Sequence, residues 1–112
     1  MKKHIIKVNE TIPNEREGYV YRRLISQDEQ PYNFLHIAVD GTHKARRVVH
    51  GIKNYFVLRG QGSFTVEGEE LSVEEGTLIV INPGEVYSYT GTMDLIEFNI
   101  QTDGQIAHED IE

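Results

Sequence analysis

A chain of 112 residues with 38% hydrophobic and 26% charged residues has the apolar content of one folded domain. Its formal net charge of −7 argues against nucleic acid or an anionic membrane as partner, and the absence of cysteine excludes disulfides, thiolate metal sites and thiol chemistry. No run approaches the roughly 18 apolar residues of a membrane span. The basic start, Met1 to Lys3, is followed by too few apolar residues for a signal peptide, so a cytoplasmic protein is expected.

In chain order, residues 3–8 read as a first edge strand, and the Asn- and Glu-rich stretch 9–18 as a loop. The aromatic and β-branched run 19–25 reads as a strand. Residues 34–39 form the next, closed by the turn pair Asp40-Gly41. Residues 46–50 and 54–58 are two more, split by Gly51, and Gly60-Gln-Gly62 reads as a tight turn.

Residues 63–67 and 70–74 alternate polar and apolar with period two, as half-buried antiparallel strands do, with Gly68 turning between them. The continuous apolar run 77–81 reads as a strand buried on both faces, followed by the strong turn Asn82-Pro83-Gly84. Residues 86–90 and 95–100 complete the sheet, and the acidic tail 103–112 is expected to be loose. No stretch carries a 3.6-residue apolar stripe. Short strands at regular turn spacing predict one all-β domain over 1–112, an antiparallel barrel or two-sheet jelly roll with its barrel over about 19–101.

One local feature stands out. Lys44, Arg46, Arg47 and Lys53 gather between residues 41 and 53, where no carboxylate occurs, although the chain as a whole is acidic.

The glycines and turns around this stretch resemble the two motifs of the cupin superfamily. Gly41 and Gly60 stand at the ends of the first motif. Gly76, Asn82-Pro83-Gly84 and position 87 follow the second. The resemblance implies a cupin-type jelly-roll β-barrel with an internal pocket. In metal-binding cupins four positions of these motifs ligate a divalent ion. Here they hold Arg47, Val49, Lys53 and Tyr87, none of them an ordinary ligand for zinc, iron, manganese or nickel. The resemblance therefore implies the barrel, and no metal or other cofactor is expected.

Side chains alternate across a strand, so Lys53 pointing inward takes Tyr55 with it, and Tyr87 takes Tyr89. Arg47 and Val49 would likewise share a face. On the last strand either Glu97 with Asn99, or Phe98 with Ile100, faces inward. The expected binding residues are thus Arg47, Lys53, Tyr55, Tyr87, Tyr89 and Glu97, with His36 and His50 as acid–base candidates beside Tyr87.

Two readings of the cations stay open. Arg47 and Lys53 receive an anionic ligand, or they pair with an internal carboxylate such as Glu97. The tyrosines suit a sugar or aromatic ring, or simply fill the core. His43, in the turn before the basic strand, is placed at the barrel mouth; with His36 and His50 it offers a relocated metal site as an alternative.

The expected function is binding of a small anionic or sugar-like molecule without metal. Some metal-independent cupins are sugar isomerases or epimerases, so the resemblance implies such an enzyme as one form of this function. A non-catalytic sensing module and a metal-dependent enzyme with relocated His and Glu ligands are the alternatives. A homodimer formed through strand 3–8 or 19–25 is expected.

Overall fold

A computed structural model describes residues 5–25, 32–100 and 108–111. The strands are β1 (Pro13–Arg16), β2 (Tyr19–Ile25), β3 (Tyr32–Val48), β4 (Ile52–Val66), β5 (Glu69–Glu74), β6 (Leu78–Ile81), β7 (Val86–Ile100) and β8 (His108–Asp110). The sheet order is β1-β2-β3-β7-β4-β5, with β6 added to β4 and β8 to β3, and every pairing is antiparallel.

Three strands are far longer than expected. β3 and β4 continue through the positions read as turns at Asp40-Gly41 and Gly60-Gln-Gly62, and β7 through the gap left between strands at residues 91–94. Partners change along β3 and β4, while β7 lies between these two strands over its length. The first half of β3 pairs with β2 and its last residues with β8; the first half of β4 pairs with β6 and its second half with β5. Each long strand therefore serves both walls of the barrel and bends between them.

Glycine makes the bend possible. Gly62 and Gly91 face each other across β4 and β7. A Cβ built on Gly91 would lie 2.6 Å from the Gly62 Cα and from the Gln61 carbonyl, and Gly91 has a φ of +146°. No side chain fits there, and L-residues avoid that conformation. Glycines that read as chain reversals are corners of a barrel. A true reversal lies between β4 and β5, where Glu67 (φ 50°) and Gly68 (φ 82°) link Val66 to Glu69. Positive φ at both central residues matches the turn type that suits the right-handed twist of a two-residue hairpin.

The core lies between the two walls. Ile37, Val39, Val48, Val57, Phe64, Val73, Ile79, Ile81, Met93 and Leu95 point inward and are buried. Each such side chain contributes roughly 1.5–3 kcal/mol relative to leaving it in water. The run 77–81, read as a strand buried on both faces, buries only one over Leu78–Ile81: Leu78 and Val80 are exposed while Ile79 and Ile81 are not.

The chain ends also differ from expectation. Residues 5–7 are outside any strand and Val8–Glu10 form a 3-10 turn, so no edge strand exists over 5–8; residues 1–4 lie outside the described part. Instead β1, in the stretch read as a loop, covers the edge of β2. Over Tyr19–Arg22, β2 is therefore flanked on both sides, by β1 and β3, which covers that part of the expected pairing edge. Part of the acidic tail is ordered too: β8 pairs with Arg46–Val48 of β3. No helix among the described residues is long and apolar enough to cross a membrane.

Candidate functional site

Polar side chains break the apolar interior at one place. His43, Lys53, Glu97 and Asn99 are buried, each 7% exposed or less, alongside Tyr55, Tyr87 and Tyr89 at 2% or less. Strand alternation positions them. On β4, Lys53 and Tyr55 share the inward face with Val57; on β7, Tyr87, Tyr89, Glu97 and Asn99 share it with Met93 and Leu95. Of the two faces open at the last strand, the structure takes Glu97 with Asn99.

His43 reaches the interior by the same rule. Leu35, Ile37 and Val39 point inward along β3, and because the strand does not stop at Gly41, the alternation carries on to His43. The register then shifts between His43 and Arg46, a β-bulge that resets the face. Arg46 ends opposite Tyr87 and Val48 is buried, while Arg47 and Val49 turn outward. The expectation that Arg47 and Val49 face inward is thus corrected by one bulge. Arg47 lies 3.9 Å from Glu109 of β8, and Arg46 lies 3.0 Å from Asp110.

His43 sits in an aromatic cage. Its ring is 4.5 Å from that of Tyr89, 5.0 Å from Tyr19 and 5.8 Å from Tyr87. Burial first, and then the Arg46 charge, lowers its pKa to about 4, so the ring is neutral at pH 7. Nδ1 is buried and accepts or donates no hydrogen bond. A neutral imidazole carries one donor and one acceptor, and this one is not committed to a carboxylate.

The tyrosines are held as neutral phenols. Burial, and then the Glu97 charge, drives Tyr55 and Tyr89 well above the usual phenol range. Burial also raises Tyr87, though the Lys53 charge works against that rise. The Tyr55 and Tyr87 hydroxyls are 3.0 Å apart and share a hydrogen bond.

Lys53 Nζ donates to Glu97 Oε2 at 2.9 Å. Burial opposes the ammonium charge, but Glu97, by its charge and this hydrogen bond, outweighs burial and raises the Lys53 pKa. Asn99 Nδ2 donates to the same carboxylate oxygen. Of the two readings of Lys53, the structure supports the internal pair.

The remaining candidates fall elsewhere. His36 is on the outer face, 4.0 Å from Asp94, and His50 lies half-buried in the bend between β3 and β4. His36 and His43 point to opposite sides of β3, and no group of three or more His, Asp or Glu positioned for a metal occurs among the described residues. The chemistry of the donor set agrees. Lys53 stands where a cupin carboxylate ligand is expected, and position 87 supplies a neutral phenol, so these residues do not fit a divalent ion. A separate open groove lined by Gln61, Ser72, Val73, Glu74, Thr77 and Thr92 shares no residue with the polar cluster.

Three comparisons bear on this barrel. Residues 55–95 match the family model of the AraC-like ligand binding domain. No curated protein matches the chain in sequence. Among solved structures, Streptomyces PAC13 with uridine is 18% identical, with a TM-score of 0.87 over 99% of this chain and 92% of that one. PAC13 is described as a nucleoside dehydratase. Its uridine structures include one with a histidine replaced by glutamine and two with a tyrosine replaced by phenylalanine. A predicted oxalate decarboxylase from Thermotoga maritima is 17% identical, with a TM-score of 0.78 over 88% of this chain and 99% of that one. The cupin domain of Schizosaccharomyces pombe Cnp3 is 12% identical, with a TM-score of 0.75 over 86% and 72%. The strand order and these likenesses agree: the chain folds as an antiparallel β-barrel of the cupin type.

Proposed function

We propose that this cupin binds a small sugar-bearing molecule such as a nucleoside inside its barrel, without a metal, and moves a proton on it with His43 and the surrounding tyrosines. The observation that carries the reading is the buried, neutral His43 in its cage of Tyr19, Tyr87 and Tyr89. A neutral imidazole can take a proton, and a neutral phenol can give one. Such a pair suits removal of a C–H proton next to a carbonyl. Returning a proton to the other face of that carbon makes an epimerase or isomerase. Loss of a neighbouring hydroxyl as water, with a tyrosine supplying its proton, makes a dehydratase. The likeness to PAC13, described as a nucleoside dehydratase, supports the second outcome and the nucleoside.

Aromatic rings with polar tips grip a sugar or a base better than an isolated anion. Lys53 is neutralised by Glu97 and Arg47 faces out, so the anionic half of the sequence expectation loses its two main residues. The test is titration of uridine into protein in chelator-containing buffer. Saturable binding supports the reading, and binding that appears only when a divalent metal is restored contradicts it.

A second reading is favoured by the match of residues 55–95 to a ligand-binding domain model: a sensing module that holds the same guest and does no chemistry. Turnover of a bound nucleoside aldehyde or ketone separates the two.

A homodimer is part of the proposal, through a different surface from the one first expected. Ile52, Phe56, Leu58, Leu78, Val80 and Ile100 are each 38–59% exposed. Phe56 stands opposite Leu78, and Ile52 opposite Ile100, on the outer face of β4, β6 and β7. Contiguous apolar surface of this kind marks an interface. Leu78→Lys is expected to shift the sedimentation profile from dimer to monomer; an unchanged profile removes this face from the interface.

A further inference from the structure

One buried polar side chain in the barrel has one end fixed and the other unused. Asn99 is 3% exposed, on the inward row of β7 next to Glu97 and opposite Lys53 of β4. Its amide nitrogen donates to Glu97 Oε2, which also accepts from Lys53 Nζ at 2.9 Å. Its carbonyl oxygen, Oδ1, is buried and has no hydrogen-bond partner.

Which end of an amide is oxygen is normally decided by its surroundings. Here the surroundings leave no choice. An ionised carboxylate only accepts hydrogen bonds, and the adjacent Lys53 ammonium favours the ionised form of Glu97. The end of Asn99 that meets Glu97 must therefore be the NH2, and the free end must be the acceptor. Lys53 orients Glu97, and Glu97 orients Asn99.

A buried acceptor without a donor is a standing cost to the fold. Buried amides are nearly always satisfied. Asn99 lies past the Gly91 corner from Tyr87 and Tyr89, yet its neighbours Lys53 and Glu97 act electrostatically on both His43 and Tyr87, so it faces the interior that holds the guest in the reading above, on which this inference rests. We propose that Asn99 is a specificity-determining residue: its Oδ1 accepts a hydrogen bond from an N–H or O–H of the bound guest, and the Lys53–Glu97 pair serves to present that acceptor. A guest lacking the donor leaves Oδ1 buried and unpaired, which is the arrangement by which enzymes reject near-isosteric analogues most strongly.

The experiment is a set of calorimetric titrations with uridine and four analogues, each missing one donor: 3-methyluridine and the 2′-, 3′- and 5′-deoxyuridines. Each is titrated into the wild type and into Asn99→Leu, whose side chain is of similar size. A second variant, Asn99→Ser, covers failure of the first to fold. The expected result is that one analogue binds the wild type at least about tenfold more weakly than uridine, and that this discrimination falls to about threefold or less in the variant. The other three analogues keep their ratios to uridine in both proteins.

Three results overturn the proposal. Uridine binds the folded variants as tightly as the wild type, as it would if a trapped water alone satisfied Oδ1. No analogue's ratio depends on residue 99. Uridine fails to bind the wild type, which removes the reading of the site as well. The first two, with uridine bound by the wild type, sink Asn99 alone.

Discussion

Lys53 Nζ lies 2.9 Å from Glu97 Oε2, and both side chains are under a tenth exposed. The pair occupies the region where the cupin motif would place a metal-binding carboxylate. A lysine there brings its own positive charge, and Glu97 keeps it in place. Removing one partner of a buried pair leaves an uncompensated charge, which is worse than removing both. Lys53→Met is therefore expected to destabilise the fold by about 3–5 kcal/mol, and the double variant Lys53→Met/Glu97→Leu by clearly less. Urea unfolding of the wild type, both single variants and the double variant checks this. A double variant as unstable as the sum of the two singles would show that the residues do not act as a pair.

His43 makes stability depend on pH. Its pKa is about 4 in the folded chain against an ordinary 6.5. Between those values the unfolded chain binds a proton that the folded chain does not. Stability from this group is therefore full above pH 6.5 and falls as the pH drops toward 4. The total is on the order of 3 kcal/mol. His43→Phe keeps a ring against Tyr89 and removes the titration. The wild type minus the variant, measured by unfolding at pH 7 and pH 4.5, should show that fall. Equal pH slopes in the two proteins would place His43 outside the buried cage.

Gly91 tests the barrel corner. Alanine there would need a Cβ 2.6 Å from the Gln61 carbonyl and the Gly62 Cα, at a φ of +146°. Both atoms are backbone and neither can swing away. Gly91→Ala is expected to lose at least about 2–4 kcal/mol. Gly76→Ala, where nothing lies within 4 Å of the added carbon, shares only the positive φ and should lose less. Comparison of the two melting temperatures decides it; similar losses would mean that φ alone, and not the close approach, requires Gly91.

The fold class was legible because it rests on many weak signals that agree: strand periodicity at 63–67 and 70–74, the turn at Asn82-Pro83-Gly84, and glycines at motif spacing. What glycine does was not legible. A glycine that reverses the chain and one that lets two walls meet look alike in sequence, so β3, β4 and β7 were each read as two short strands. That error hid His43. Had the alternation of Leu35, Ile37 and Val39 been carried through Gly41, it would have put His43 inside.

Arg47 failed for the opposite reason. Alternation was trusted across residues 43–46, where a bulge breaks it. Lys53, Tyr55, Tyr87 and Tyr89 were placed inward correctly, because no bulge interrupts their inward rows, while the face of the last strand was left open between Glu97 and Phe98. The ordering of β8 had no apolar signal at all. Its acidic residues lie against Lys44, Arg46 and Arg47, a complementarity that is visible only once the strands are adjacent.

The central claim is that the guest sits against His43. The most direct measurement is a long-range 1H–15N spectrum of the histidine side chains, recorded at pH 7 while uridine is added. The signals of His43 are identified by their loss in His43→Gln. The account predicts a neutral His43 ring whose resonances move with uridine and saturate, while those of His36 on the outer face stay where they are. Saturable uridine binding that leaves the His43 signals unmoved would contradict it.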